Sequence, residues 1–87
     1  MYLHLGQDTV IETESIVAMF DIDACTVSKK TRDFLAAAQK HGDVINVSME
    51  LPRSFIVCQG ESRQLVYISQ LSTKTLLKRS GSFYSNL

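Results

Sequence analysis

Ser54-Phe55-Ile56-Val57-Cys58-Gln59, Gly60-Glu61-Ser62-Arg63, Gln64-Leu65-Val66-Tyr67-Ile68-Ser69: residues 54–69 read as two strands joined by a short polar turn. Aromatic and β-branched residues dominate both runs, and the break between them holds glycine and small polar residues. Neither run alternates cleanly. Phe55 and Val57 oppose Ile56 and Cys58, and Leu65 and Tyr67 oppose Val66 and Ile68, so both faces of the hairpin are apolar. An antiparallel pair with one wet face shows apolar and polar residues in turn. This hairpin therefore has to be covered on both sides.

Working outward, Ser15–Ile22 is a third strand, with Ile16, Ala18, Phe20 and Ile22 on one face and Val17, Met19 and Asp21 on the other. Tyr2–Leu5 and Thr9–Glu12 are short strands around the turn Gly6-Gln7-Asp8, and Val44–Val47 is another short strand. Residues 27–40 read as the main helix. Thr26 or Ser28 can cap its start, and Gly42 follows Lys40-His41 as a C-terminal glycine. Phe34, Leu35, Ala37 and Ala38 supply its apolar stripe. Ser72 can cap a short C-terminal helix over 72–79, with Thr75, Leu76 and Leu77 turned inward. Residues 49–53 form a loop with the one proline, Pro52. The order β-β-β-α-β-β-β-α gives an α+β domain with a mostly antiparallel sheet. Two helices do not easily cover both faces of such a sheet, so a second subunit is the expected cover, and the chain is expected to form a homo-oligomer.

Eighty-seven residues make a single domain over 1–87. A chain this short buries only roughly 60–65% of the surface it exposes unfolded. Cys25 and Cys58 are separated by 32 residues, without a CxxC or a neighbouring histidine, and read as buried apolar residues in a reducing cytosol. The start has no basic n-region or apolar stretch of signal-peptide length, and no run approaches a membrane span. A cytoplasmic location follows as the expectation. Residues 80–87 read as a flexible polar tail, with Phe83 and Tyr84 as candidate docking points.

The sequence offers little to an enzyme. His4 and His41 stand alone, and GxSxG, HExxH and P-loop patterns are absent. Asp21-Ile22-Asp23 projects two carboxylates the same way but lacks a third ligand. No metal, cofactor or small-molecule substrate is expected.

Charge is more informative. The net charge is zero, yet residues 1–27 hold five acids (Asp8, Glu12, Glu14, Asp21, Asp23) and no Lys or Arg, while 72–87 hold Lys74, Lys78 and Arg79 and no acid. Lys74, Lys78 and Arg79 share one side of the C-terminal helix, Arg53 enters a strand directly after Pro52, and Arg63 lies at the hairpin turn. These are candidate phosphate contacts. Repeated in an oligomer, weak patches would sum. The acidic head and basic tail could equally pair between subunits.

Several segments taken together resemble a known family. Tyr2-Leu3-His4-Leu5-Gly6, Thr13 with Ile16-Val17 and Phe20-Asp21, Pro52-Arg53-Ser54, Ser69 with Leu71-Ser72, Thr75-Leu76 and Lys78-Arg79 look like the RemB-type members of the RemA/RemB extracellular matrix regulator family. The resemblance runs nearly end to end. It implies a LytTR-like fold, a ring-shaped homo-oligomer, and a bacterial DNA-binding transcriptional activator of biofilm matrix genes. It also implies DNA contacts by arginine. Arg53 matches one of a pair, with Pro52 in the other place, and Glu14 stands where related chains carry a base. Arg53, Lys74, Lys78 and Arg79 are thus the DNA-binding candidates, and a more basic paralogue is a candidate partner. The other reading is a structural module that forms oligomers without nucleic acid, which Glu14 and the neutral total charge favour.

Overall fold

A computed structural model describes residues 1–22 and 28–80 of the chain. Asp23, Cys25, the alternative cap Thr26, and the tail from residue 81 onward lie outside the described residues. The strands are β1 (Tyr2–Gly6), β2 (Thr9–Glu12), β3 (Ile16–Asp21), β4 (Val44–Asn46), β5 (Ser54–Gln59) and β6 (Gln64–Ser69). The helices are α1 (Lys29–Lys40) and α2 (Thr73–Ser80), and a 3-10 turn at Thr13–Ser15 leads into β3. The expected α+β class and element order stand.

Four strands form one sheet in the order β3-β5-β6-β4, and β1 and β2 form a separate hairpin. β5 is antiparallel to both its neighbours, and β4 lies parallel to β6. β5 and β6 are the two inner strands, which accounts for the missing alternation. Ser54 to Cys58 are all buried.

The sheet is covered on both faces within one subunit. On one side Phe55, Val57 and Val66 pack with Phe20, Ile22, Val44, Ile68 and with Leu35 and Ala38 of α1. Phe20 stacks on Phe55 with ring centroids 5.0 Å apart. On the other side Ile56, Cys58 and Val47 pack with Leu3, Leu5 and Ile11 of the β1–β2 hairpin and with Leu76 of α2. The second face therefore does not need another subunit as its cover. The first two strands, expected in the main sheet, form a separate hairpin that covers this face together with α2.

One face assignment changes. The β3–β5 register shifts between Ile16 and Ala18, so Ile16 faces Cys58 while Ala18 faces Val57. Val17 is the extra residue of this bulge and is exposed. Because side chains alternate with a period of two, one inserted residue moves Ile16 to the opposite side from Phe20 and Ile22. Ile16 packs with Met19 against the β1–β2 side.

Helix ends follow local rules in part. Ser28 is the N-cap of α1 with extended backbone, though its side chain makes no capping bond. At the other end Gly42 has φ +75°, and the N–H groups of Gly42 and Asp43 donate to Gln39 O (3.1 Å) and Ala38 O (2.9 Å). That is the paired 5→2 and 6→1 arrangement of a glycine-terminated helix. The apolar stripe of α1 is narrower than expected, because Phe34 and Ala37 are exposed. In α2, Ser72 accepts from Thr75 N–H at 3.1 Å, so the expected cap is formed. Leu76 is fully buried, but Leu77 faces solvent.

Gly6 has φ +125°, and a Cβ there would come within 2.7 Å of the Gln70 side chain. The close approach seats the β1–β2 hairpin. Ser69 Oγ donates to Leu5 O at 2.6 Å, and Ser54 Oγ donates to Leu71 O at 2.7 Å. These two buried serines tie the hairpin and the start of α2 to the inner strands.

Ile56 is 0% exposed and central to the side that carries the hairpin. Ile56→Ala is expected to cost about 2–5 kcal/mol of stability, read from urea unfolding. A second expectation concerns pH. Burial pushes the Cys58 thiol above its ordinary value of 9.0, opposed by a Ser15 hydrogen bond, and burial followed by the Cys58 charge pushes up the Tyr67 phenol. Both favour the protonated form in the folded chain. Their contribution is complete below the unfolded values and is lost as pH rises through the folded ones. Denaturation midpoints should fall above pH 9.0, and Cys58→Ala should reduce that fall.

Candidate nucleic-acid interface

Arg53 sits immediately before β5, and its backbone is held from both sides. Its N–H donates to Ser69 O at 2.8 Å, and its carbonyl accepts from Ile22 N–H at 3.0 Å. The end of β3, the start of β5 and the end of β6 thus converge on one residue. The side chain is exposed and, among the described residues, enters no ion pair. The result is a free guanidinium on a rigid base. That combination suits an anion such as phosphate, whose oxygens can accept parallel N–H bonds from the planar guanidinium, and little backbone entropy is lost on binding.

Lys74 lies in the first turn of α2, which starts four residues after Ser69. It therefore shares the Arg53 end of the sheet. Lys78 and Arg79 lie in the last turn, roughly 6 Å further along the helix axis. All three are exposed. The helix runs back over β1, and there Arg79 finds an internal partner. Its Nη1 donates to His4 Nδ1 at 3.0 Å, while His4 Nε2 donates to Gln7 O at 2.6 Å. The two neighbours make opposite demands and select the imidazole tautomer protonated on Nε2. Of the three basic residues on α2, Arg79 is the one already engaged.

The structure separates other candidates. Arg63 is at the far turn of the β5–β6 hairpin, with Nε 3.4 Å from the Asp43 carboxylate, so it does not join Arg53. His41 closes α1, its Nδ1 2.7 Å from Ala37 O. Asp21 ends β3 opposite Ser54, while its DxD companion Asp23 lies outside the described residues. Among the described residues there is no group of three or more His, Cys, Asp or Glu placed to hold a metal, and no helix is long and apolar enough to cross a membrane.

Glu14 is in the 3-10 turn before β3, at the opposite end of that strand from Arg53. Six strand residues at about 3.3 Å each put roughly 20 Å between those two ends. Its carboxylate accepts from Thr13 Oγ1 at 2.8 Å and from the amino terminus at 3.2 Å. The Thr13 hydrogen bond first, then the terminal ammonium, hold its pKa below the ordinary carboxylate value. The acid that stands in place of an expected base is thus locally paired and remote from Arg53. The acidic head and basic tail also meet within one subunit, through Leu76 against Leu3 and Leu5 and through Arg79 and His4.

What sequence reading missed was the support beneath these residues. Ser54 and Ser69 look like ordinary polar strand ends in the sequence, yet both are buried and bonded to the backbone.

Comparison with known proteins adds the family. The model of the RemA-like family, described as extracellular matrix regulatory protein A-like, matches residues 2–79. The chain belongs to this family. It is also 41% identical over 80 residues to the extracellular matrix regulatory protein B of Bacillus subtilis (strain 168), covering 92% of this chain and 90% of that protein. The RemA-like chain described here is thus a RemB-type member. The matched span takes in Arg53, Lys74, Lys78 and Arg79, so the candidate interface lies inside the family domain.

Proposed function

We propose that this RemA-like chain is a cytoplasmic DNA-binding regulator of extracellular matrix genes that works as a ring-shaped homo-oligomer and carries out no enzymatic step. The observation that carries this reading is the free Arg53 guanidinium on its clamped backbone, in a chain whose family is described as extracellular matrix regulatory. Arg53 is the primary phosphate contact. Lys74 supports it from the same end of the sheet, and Lys78 extends the positive surface along α2. Arg79 contributes field rather than contact while His4 holds it.

One such patch is weak, and the chain has no net positive charge. A closed ring repeats it at every subunit, and the summed contacts release counterions together. Base readout is shallow in this arrangement, because α2 offers no Asn, Gln or Arg array for base edges. Bending DNA along the assembly suits it better. A LytTR-like fold and cooperation with a more basic paralogue accord with the same reading. The competing reading, assembly without nucleic acid, is favoured by Glu14 and by Pro52 beside Arg53.

Fluorescence anisotropy with a labelled duplex separates the two. Binding should be measurable at about 50 mM salt and should weaken steeply by about 200 mM. Arg53→Ala should lower the slope of log affinity against log salt by about 0.9 for each phosphate contact removed, with the assembly mass unchanged. An intact oligomer that shows no binding at the lower salt would favour the module reading.

A further inference from the structure

The four-stranded sheet has two edges, β3 and β4, and each carries apolar surface that the subunit does not cover. Beside β3 an open groove of about 340 Å³ lies between the sheet and the first half of α1. Val17, Phe20, Phe55 and Val57 line it from the sheet, and Lys30 and Phe34 from the helix. Val17 is 58% exposed because the bulge turns it outward, and Phe34 is 38% exposed.

The loop after β4 crosses the end of β6 to reach β5 and holds a projection. Met49 is fully exposed and Leu51 is 80% exposed. The Ser48 hydroxyl accepts from Glu50 N–H at 3.0 Å, a side-chain turn that presents Met49 at its tip. Glu50 sits between the two apolar residues and, among the described residues, enters no ion pair, as is also true of Lys30.

We infer that Met49 and Leu51 of one copy of this chain seat in the β3–α1 groove of the next, with Glu50 meeting Lys30. This rests on the oligomeric reading proposed above and names the surfaces that make it. Projection and groove differ in shape and carry opposite charge, and they sit on different elements, the β4–β5 loop at the end of the sheet and the flank of β3 beneath α1. A two-fold pairing of either surface with itself would bring Lys30 to Lys30 or Glu50 to Glu50. Pairing one with the other is heterologous, uses each surface once per subunit, and propagates head to tail until it closes. Leu51 is two residues before Arg53, so the seated loop places the phosphate-binding arginine at every subunit junction.

Sedimentation velocity on the full chain at micromolar concentration tests this, with circular dichroism confirming that each variant is folded. The wild type should sediment as an oligomer and the M49D/L51D double variant as a monomer. Glu50→Lys and Lys30→Glu should each weaken assembly by at least about tenfold through like-charge contact, and the two together should restore it. A wild-type oligomer that survives M49D/L51D would overturn the seating of the loop while leaving the oligomeric reading in place. Failure of the double charge reversal to restore assembly would overturn the Glu50–Lys30 contact. A monomeric wild type would overturn the oligomeric reading and this contact with it.

Discussion

Burial of β5 on both faces is the constraint from which the rest of the structure follows. Phe55 and Val57 need one apolar layer, and Ile56 and Cys58 need another. A chain of this length has few elements to spend on two layers. It assigns α1 to one and the β1–β2 hairpin with α2 to the other. Removing β1 and β2 from the main sheet leaves only four strands there, with the shortest, β4, at one edge and the bulged β3 at the other. Short edges and bulges discourage indiscriminate strand pairing.

The same constraint creates the candidate interface. Because β5 is central, its first residue is flanked by the ends of β3 and β6, and Arg53 inherits a rigid platform. Ser54 and Ser69 can be buried there only because each hydroxyl has a backbone carbonyl to bond. An unbonded buried hydroxyl would cost more than the bond contributes. The platform, the cap at Ser72 and the start of α2 thus form one polar end of the sheet. Arg63 and Glu14 belong to the other end, where each has a local partner of opposite charge.

Membership of the RemA-like family and the geometry bear on different parts of the functional reading. The family supplies the regulatory context. The geometry shows where the basic residues stand, with Arg53 before β5, Lys74 in the first turn of α2, Lys78 in its last turn, and Arg79 occupied by His4. Glu14 weighs less against nucleic acid than its position in the sequence suggests, since distance and local pairing limit its field at Arg53.

The sequence by itself determined the elements and the class. The doubly apolar run 54–69, the glycine after Lys40-His41 and the Ser72 cap all act over a few residues, and each holds in the structure. The hairpin boundaries agree residue for residue because a short turn leaves the register no freedom. Tertiary structure alone decided which element covers which face. The β1–β2 hairpin lies far along the chain from the strands it covers, and one bulged residue at Val17 reverses the facing of Ile16. It also decided that, among the described residues, Arg53 has no ion-pair partner while Arg63 and Arg79 are held. Their partners Asp43 and His4 lie 20 and 75 residues away in the chain, and only the folded path brings such groups within bonding distance.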